Sequence, residues 1–371
     1  MPADVKKALK QLEECGRYRT LSLPCGLDLS SNDYLGLSEH PALQEAARAY
    51  FAGGGALGAG GSRLLRGHMR EHRDLEAFAA QVFGCERTLF FSSGFQANYA
   101  LLTTLPARGD IVLYDALVHA SVRDGLRAGQ ARHFKFSHND LDALEALLKR
   151  YHGERARNLW VCVESVYSME GDIAPLSDLY ALAVRYDAML VVDEAHATGV
   201  FGEGGRGLAY DAIIKTHGYK NLVTLHTCGK AIGVAGALIC AEANFIDYMV
   251  NKARPFIFST APMPAQAVLV QKSLGIILST EGRALRKKLH SLCRYAQRKF
   301  GGSGTHIVPL IIGDDTLSIH IAEQLQNRGY DIRAIRPPSV AQGSARLRLS
   351  LSAKLDEGDI EDFSLAFDCY C

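Results

Sequence analysis

Ala188-Met189-Leu190-Val191-Val192-Asp193-Glu194-Ala195-His196-Ala197-Thr198-Gly199 decides how this chain is read. Its apolar half is short and unbroken, the pattern of a strand covered on both faces. The run ends on Asp193, with His196 three residues on. A strand delivers such residues to the carboxyl edge of its sheet, and open α/β sheets bind ligands at that edge. Downstream comes Thr227-Cys228-Gly229-Lys230-Ala231, a lone lysine among small residues.

Outward from this centre, strand-like runs alternate with helix-like ones. The runs are 88–91, 111–115, 132–136, 159–165, 189–193, 222–226 and 236–240. Such alternation predicts βαβ units and a mainly parallel sheet covered by helices, an α/β fold. Short helices are expected near 3–14 and after Pro41, and His72 to Phe83 carries apolar residues at helical spacing. A break falls around Ser259-Thr260-Ala261-Pro262-Met263-Pro264. A long helix-like stretch over 265–299 follows, then strand patterns at HIVPLII and ARLRLSLS. The expected organisation is an N-terminal arm (1–40), a large α/β domain (41–264) and a small C-terminal α+β domain (265–371), with the arm packing near the small one.

Composition narrows the partners. The 371 residues are 48% hydrophobic and 22% charged, the make-up of an ordinary globular protein. A net charge of +1 gives no reason to expect nucleic acid or an acidic membrane. Nine cysteines form no paired framework, the closest being Cys369-Tyr370-Cys371. Reduced, mostly buried thiols are expected. The first residues lack the apolar core of a secretory signal, and no apolar run approaches the length of a membrane span. A cytoplasmic protein is the expectation.

The chemistry lies in a few positions. An Asp at a strand end is ordinarily a cap or turn former. Beside His196 and Lys230 another reading opens. Ionised Asp193 would keep a pyridinium nitrogen protonated. His196 would bond the phenolic oxygen of the same ring, and Lys230 would form the Schiff base. These are the parts a pyridoxal 5'-phosphate (PLP) site needs. Lysines are ordinarily solvated, but one between a buried strand and the Gly/Ala-rich VAGALIC can lose basicity and react. Thr227 would reach the cofactor phosphate. Ser92-Ser93-Gly94-Phe95-Gln96-Ala97-Asn98 follows a strand and opens a helix, so the Gly94 and Phe95 amides form either an anion site or a plain turn. His119 either stacks on the ring or caps the next helix.

Three motifs mislead. Gly53/Gly55/Gly58 follows a helix pattern, and Gly202/Gly204/Gly207 lacks a βαβ context, so neither GxGxxG marks a dinucleotide fold. His68-Met69-Arg70-Glu71-His72 matches a zinc pattern without a further ligand. No metal is expected.

Taken together, the residues resemble the α-oxoamine synthases, PLP enzymes of fold type I (aspartate aminotransferase-like). The resemblance spans nearly the whole chain. It rests on Ser31 to Leu37 (SNDYLGL), Gly60-Gly61-Ser62-Arg63, Ser93-Gly94-Phe95, Ser168-Met169-Glu170-Gly171-Asp172, Asp193 to Gly199 and Phe258-Ser259-Thr260. The stretches Phe136 to Asp140, Ala334 to Ser339 and Gly343 to Leu349 match the branch that joins L-alanine to a pimeloyl thioester.

What this resemblance implies is specific. Lys230 holds the cofactor covalently and Asp193 its ring nitrogen; with His119, which stacks on the ring and faces substrate, they are the catalytic set. Ser168 and His196 contact the ring, and Gly94, Phe95 and Thr227 the phosphate. Thr260 reaches the phosphate of a second subunit, implying a homodimer with shared sites. Arg348 holds the amino-acid carboxylate, Ser339 contacts substrate, and Arg19, or its neighbour Arg17, is an N-terminal substrate arginine. Lys230 removes the Cα proton, the carbanion attacks the thioester, and loss of CO2 leaves an amino-ketone. The carrier is coenzyme A or acyl carrier protein. The N-terminal region is short for the family, and Cys228 stands where relatives carry an aromatic or small residue. The rivals are a related synthase with another amino acid or thioester, an aminotransferase or lyase, and a binding protein on a dead enzyme fold. Intact Lys230, Asp193, His119 and His196 argue against the last.

Overall fold

The structure is a computed structural model that describes residues 3–154 and 156–370. Cys371 and the first two residues of the arm lie outside the described residues. The chain divides into two compact units.

The larger unit comprises Leu35–Tyr167 and Ile173–Lys287. Its seven-stranded sheet runs in the order Arg87–Phe91, Ala237–Ala241, Leu222–Thr227, Ala188–Asp193, Leu159–Glu164, Ile111–Asp115, Arg132–Phe136. Within it only Ala237–Ala241 runs against its neighbours. The other adjacent pairs are parallel. These are the seven strands expected from the sequence, with ends agreeing to within one residue. Their apolar runs are continuous because both faces are covered. Every residue of Leu159–Glu164 and Leu222–Thr227 is buried. Helices Gly94–Thr104 and Ala120–Ala128 pack on each other. Their Leu101, Leu102, Val122 and Leu126 join Val112, Trp160, Val191 and Ile239 in one core.

Parallel strands end on one edge. Phe91, Asp115, Glu164, Asp193 and Thr227 all close there, so the segments after them collect at one place. The Lys230 turn is the loop between the antiparallel strands Leu222–Thr227 and Ala237–Ala241. Gly207 makes one close approach possible. At φ 96° its added Cβ would lie 2.6 Å from the Glu194 carboxylate.

The smaller unit comprises the chain up to Tyr34, Ser168–Asp172 and the chain from Lys288 onward. Its three-stranded antiparallel sheet has Ala345–Ser350 between Ala334–Ile335 and Ile307–Gly313. Leu27–Asp28 pairs in parallel with Tyr330–Asp331.

Three expectations differ from what is seen. The stretch 265–299 is two helices, Pro264–Leu278 and Thr280–Phe300. Ser279 between them is extended (ψ 175°), and its hydroxyl caps the Ile276 carbonyl at 2.7 Å. The first of these helices packs on Pro41–Ala52 and Arg70–Phe83, so it belongs to the larger unit. The cysteines are not mostly buried. Of the eight described, all free, Cys162, Cys228, Cys240 and Cys293 are buried, and Cys15, Cys25 and Cys369 are exposed.

Candidate active site

Asp193 closes its strand with the carboxylate pointing into protein. It is 5% exposed. Its Oδ2 accepts from Asn98 Nδ2 at 2.7 Å and its Oδ1 from the Ala195 amide at 2.9 Å. These two donors fix the carboxylate in place. His196, on the following turn, is buried, and its Nε2 lies 2.7 Å from Lys230 Nζ. Lys230 is half-buried. His119 is the N-cap of helix Ala120–Ala128, accepting the Ser121 amide on Nδ1 at 3.2 Å. Burial lowers its pKa, opposed by Asp193 and reinforced by Lys230, so it feels both groups.

The segment expected to hold the phosphate forms a capped helix start. Ser93 caps helix Gly94–Thr104 by accepting the Gln96 amide. The Gly94 and Phe95 amides have no backbone or side-chain partner among the described residues. A Cβ on Gly94 would stand 3.1 Å from Thr227 Oγ1, which brings the helix start and the lysine turn together. Free amides at a helix start, a hydroxyl beside them, a fixed carboxylate and a lysine–histidine pair suit the phosphate, ring nitrogen and aldehyde of PLP. Cys228 is fully buried, and desolvation pushes its thiol pKa up.

The other expected residues fall as follows. Thr260 is exposed and bridges Ser62, and Ala261 donates to Gly61 at 2.9 Å. Ser168, Ser339, Arg19 and Arg348 belong to the smaller unit. Arg346 and Arg348 are not on a solvated edge. Their strand is the middle one, and both are buried, Arg346 paired with Glu170 at 2.8 Å. Arg348 donates Nε to the Ser168 carbonyl at 2.7 Å, Nη1 to Ser350, and Nη2 to Asn32 and Tyr34. A two-point grip on a carboxylate therefore requires a partner to yield. Ser339 is exposed. Arg17 is committed to Asp315 at 3.0 Å, whereas Arg19 is exposed and adds to the lowered pKa of Arg336, whose first cause is burial. The zinc-like pair is spoken for: His72 accepts the Met69 amide and faces the Pro262 carbonyl, and His68 bonds Arg63.

Sequence reading missed several residues here. Asn98 sits among Ala97, Ala100 and Leu101 on a buried helix face, and a polar residue at such a position was the available signal. Glu194 is fully buried, accepting from Ser165, Leu208 and Ala209. Burial outweighs these donors and raises its pKa to about 7. The neutral form is thus favoured by folding. That contribution is whole below the unfolded pKa and is lost as pH rises through about 7. Relative to Glu194→Gln, the parent should lose up to about 3 kcal/mol between roughly pH 5 and pH 8, at ~1.4 kcal/mol per pH unit. Urea midpoints at both pH values measure it, and parallel pH dependences would refute it.

Known proteins sharpen the picture. The chain matches the model of aminotransferase class I and II over residues 25–366. The chain belongs to this family, in its α-oxoamine synthase branch. The 8-amino-7-oxononanoate synthase of Geobacter sulfurreducens is 39% identical, covering 97% of this chain and 96% of its own. That of Bordetella petrii is 42% identical, covering 91% and 89%. Among solved structures, Sphingomonas wittichii serine palmitoyltransferase aligns with TM-score 0.85 at 28% identity, covering 93% of this chain and 87% of that one. An S. paucimobilis serine palmitoyltransferase with bound PLP–myriocin aldimine gives 0.88 at 26%, covering 99% and 96%. The Francisella tularensis 8-amino-7-oxononanoate synthase gives 0.78 at 26%, covering 93% and 97%. The fold is accordingly that of the type I PLP transferases, with the mainly parallel sheet expected.

Proposed function

We propose that this chain condenses L-alanine with a pimeloyl thioester, releasing CO2 and the free thiol carrier, to give the 8-amino-7-oxononanoate of biotin biosynthesis. The observation that carries this reading is the agreement in sequence, at 39–42% identity, with 8-amino-7-oxononanoate synthases over nearly their whole length. The solved serine palmitoyltransferases share the fold at only 25–28%.

PLP is the cofactor, and when bound it supplies an aldehyde to carry the amino acid and a ring that takes up the electron pair released at Cα. The residues divide the remaining work. Asp193 keeps the ring nitrogen protonated. The Gly94 and Phe95 amides and Thr227 hold the phosphate, with Thr260 of a second copy. Lys230 Nζ takes the Cα proton and returns it after CO2 has left. His196 and Ser168 orient the ring. His119 stacks on it and faces the acyl carbonyl. Arg348 holds the alanine carboxylate, Ser339 contacts substrate, and Arg19, or its neighbour Arg17, is the N-terminal substrate arginine. A product assay of L-alanine, glycine and L-serine against pimeloyl and acetyl thioesters tests the reading. Alanine with the pimeloyl thioester should give the highest kcat/KM; a preference for glycine with acetyl-CoA, or for serine, overturns it. Running it with coenzyme A and acyl carrier protein identifies the carrier.

Arg348→Ala should weaken alanine binding by roughly 2–4 kcal/mol, since the carboxylate loses a desolvated charged partner. Cofactor binding should survive, because it depends on Lys230 and Asp193. Alanine-induced spectral shifts measure the loss, and unchanged affinity would move the carboxylate site elsewhere.

The working state is a homodimer in the cytoplasm. Segments 61–67 and 260–261 are hydrogen-bonded neighbours. On and beside them Leu57, Leu65 and Phe258 are 79%, 86% and 70% exposed. Large apolar side chains exposed together mark an interaction surface, and a second copy is the occupant that makes Thr260 useful. Mixing Lys230→Ala subunits with subunits altered at Thr260 should restore activity in hybrids. A fully active monomer would rule the dimer out. Among the described residues no helix is long and apolar enough to cross a membrane.

A further inference from the structure

Asp193 and His119 are joined through Asn98 and Ser121. Asn98 donates from Nδ2 to Asp193 Oδ2 and also to Ser121 Oγ, at 3.1 Å. Ser121 Oγ lies 2.8 Å from His119 Nδ1. Asn98 is 2% exposed and Ser121 0%. Asn98 Oδ1 is buried with no partner.

One bond sets the direction of every other in this chain. Asp193 Oδ2 accepts, so Asn98 turns its NH2 group toward it. The second N–H of that group then points at Ser121 Oγ, which accepts it. The Ser121 hydroxyl hydrogen is left for His119 Nδ1. The Ser121 backbone N–H aims at the same nitrogen. Two donors converge on Nδ1, so Nδ1 is a bare lone pair and the proton of the neutral ring sits on Nε2. The unpartnered Asn98 Oδ1 is the cost of this orientation. A flipped amide would set two oxygens against each other at 2.7 Å.

The geometry points to Asn98 and Ser121 as positioning residues that hold His119 neutral, with Nε2–H as its donor and Nδ1 as its acceptor. This rests on the reading of His119 as the group that faces the acyl carbonyl. It gives His119 the part of an uncharged hydrogen-bond donor, not of a cationic acid. The charges around it are mixed. Asp193 and Asp124 favour the imidazolium, Lys230 and Arg123 oppose it, and burial outweighs the acids. Protonating Nδ1 would turn the Ser121 amide against it and leave the Ser121 hydroxyl accepting twice, with no buried group to take its own hydrogen.

The experiment is two-bond 1H–15N correlation on 15N-histidine protein, cofactor-free and cofactor-loaded, with His119 assigned by loss of its signals in His119→Gln. Near neutral pH the parent should show one neutral species protonated on Nε2, and the imidazolium should appear only on acidification. Asn98→Ala and Ser121→Ala should raise the midpoint of His119 protonation and admit the Nδ1–H form. Ser121→Thr, which keeps the hydroxyl, should restore the parent pattern. In turnover, Ser121→Ala should lower kcat with the alanine KM nearly unchanged. An imidazolium or an Nδ1–H ring in the neutral-pH parent overturns the inference, as does an unchanged tautomer and midpoint in both alanine variants. If the spectra behave as stated but His119→Gln condenses at the parental rate, the tautomer assignment stands and the role of His119 at the acyl carbonyl falls.

Discussion

Lys230→Ala should lower the condensation rate by about 10⁴-fold or more, because in the proposed function one side chain both tethers the cofactor and moves the Cα proton. The parent should be yellow as purified or after reconstitution with PLP. Borohydride should fix the cofactor to the peptide holding Lys230, and in the variant the same treatment should leave that peptide unmodified. Cofactor affinity should fall less than rate, since Asp193, Thr227 and the Gly94 and Phe95 amides remain. The 2.7 Å pairing with His196 aims the amine before any substrate arrives. His196→Ala should therefore spare the covalent link while slowing proton transfer. A parent that cannot be reconstituted, or a variant whose corresponding peptide still carries label, would falsify the assignment.

The second large effect is on stability. Arg63 is 6% exposed, and its Nη2 meets both oxygens of Glu76 at 2.9 Å. Glu76 Oε1 also accepts the Phe90 amide at 2.8 Å. Burial raises the Glu76 pKa even though Arg63 opposes the shift. Arg63→Ala strands this carboxylate and should cost about 3–5 kcal/mol. Replacing both partners, as in Arg63→Met with Glu76→Leu, should cost less than either single change, since desolvated charges are then absent. Denaturant unfolding at fixed protein concentration reads the difference. Single variants within about 1 kcal/mol of the parent would show the pair to be solvated instead.

Sequence patterns expressed the large sheet well because both of its faces are covered, so each strand is a continuous apolar run. The break at Ser279 was hidden because Leu278 and Thr280 continue the helical pattern on either side, and only a serine hydroxyl turned back on Ile276 marks it. At the site, residues at strand ends were legible by position: Asp193, His196, His119 and Lys230. Those acting from a helix interior were not. Asn98 looks like one tolerated polar residue in an apolar helix until its carboxylate neighbour, 95 positions away, is in place. Arg348 was legible as an arginine on a strand, but not as one buried with four donors committed.

The edge position of Arg87–Phe91 bears on how the protein is made. This early strand leads into the phosphate loop, yet in the sheet it pairs solely with Ala237–Ala241. A chain leaving the ribosome can join its other parallel strands in turn, but Arg87–Phe91 has no place in the sheet until residue 241 has emerged. The phosphate site proposed at Gly94, Phe95 and Thr227 must wait for the same event. Nascent chains halted before that residue should expose an unpaired apolar strand and need shielding by chaperones, while those a little longer become competent to take up the cofactor.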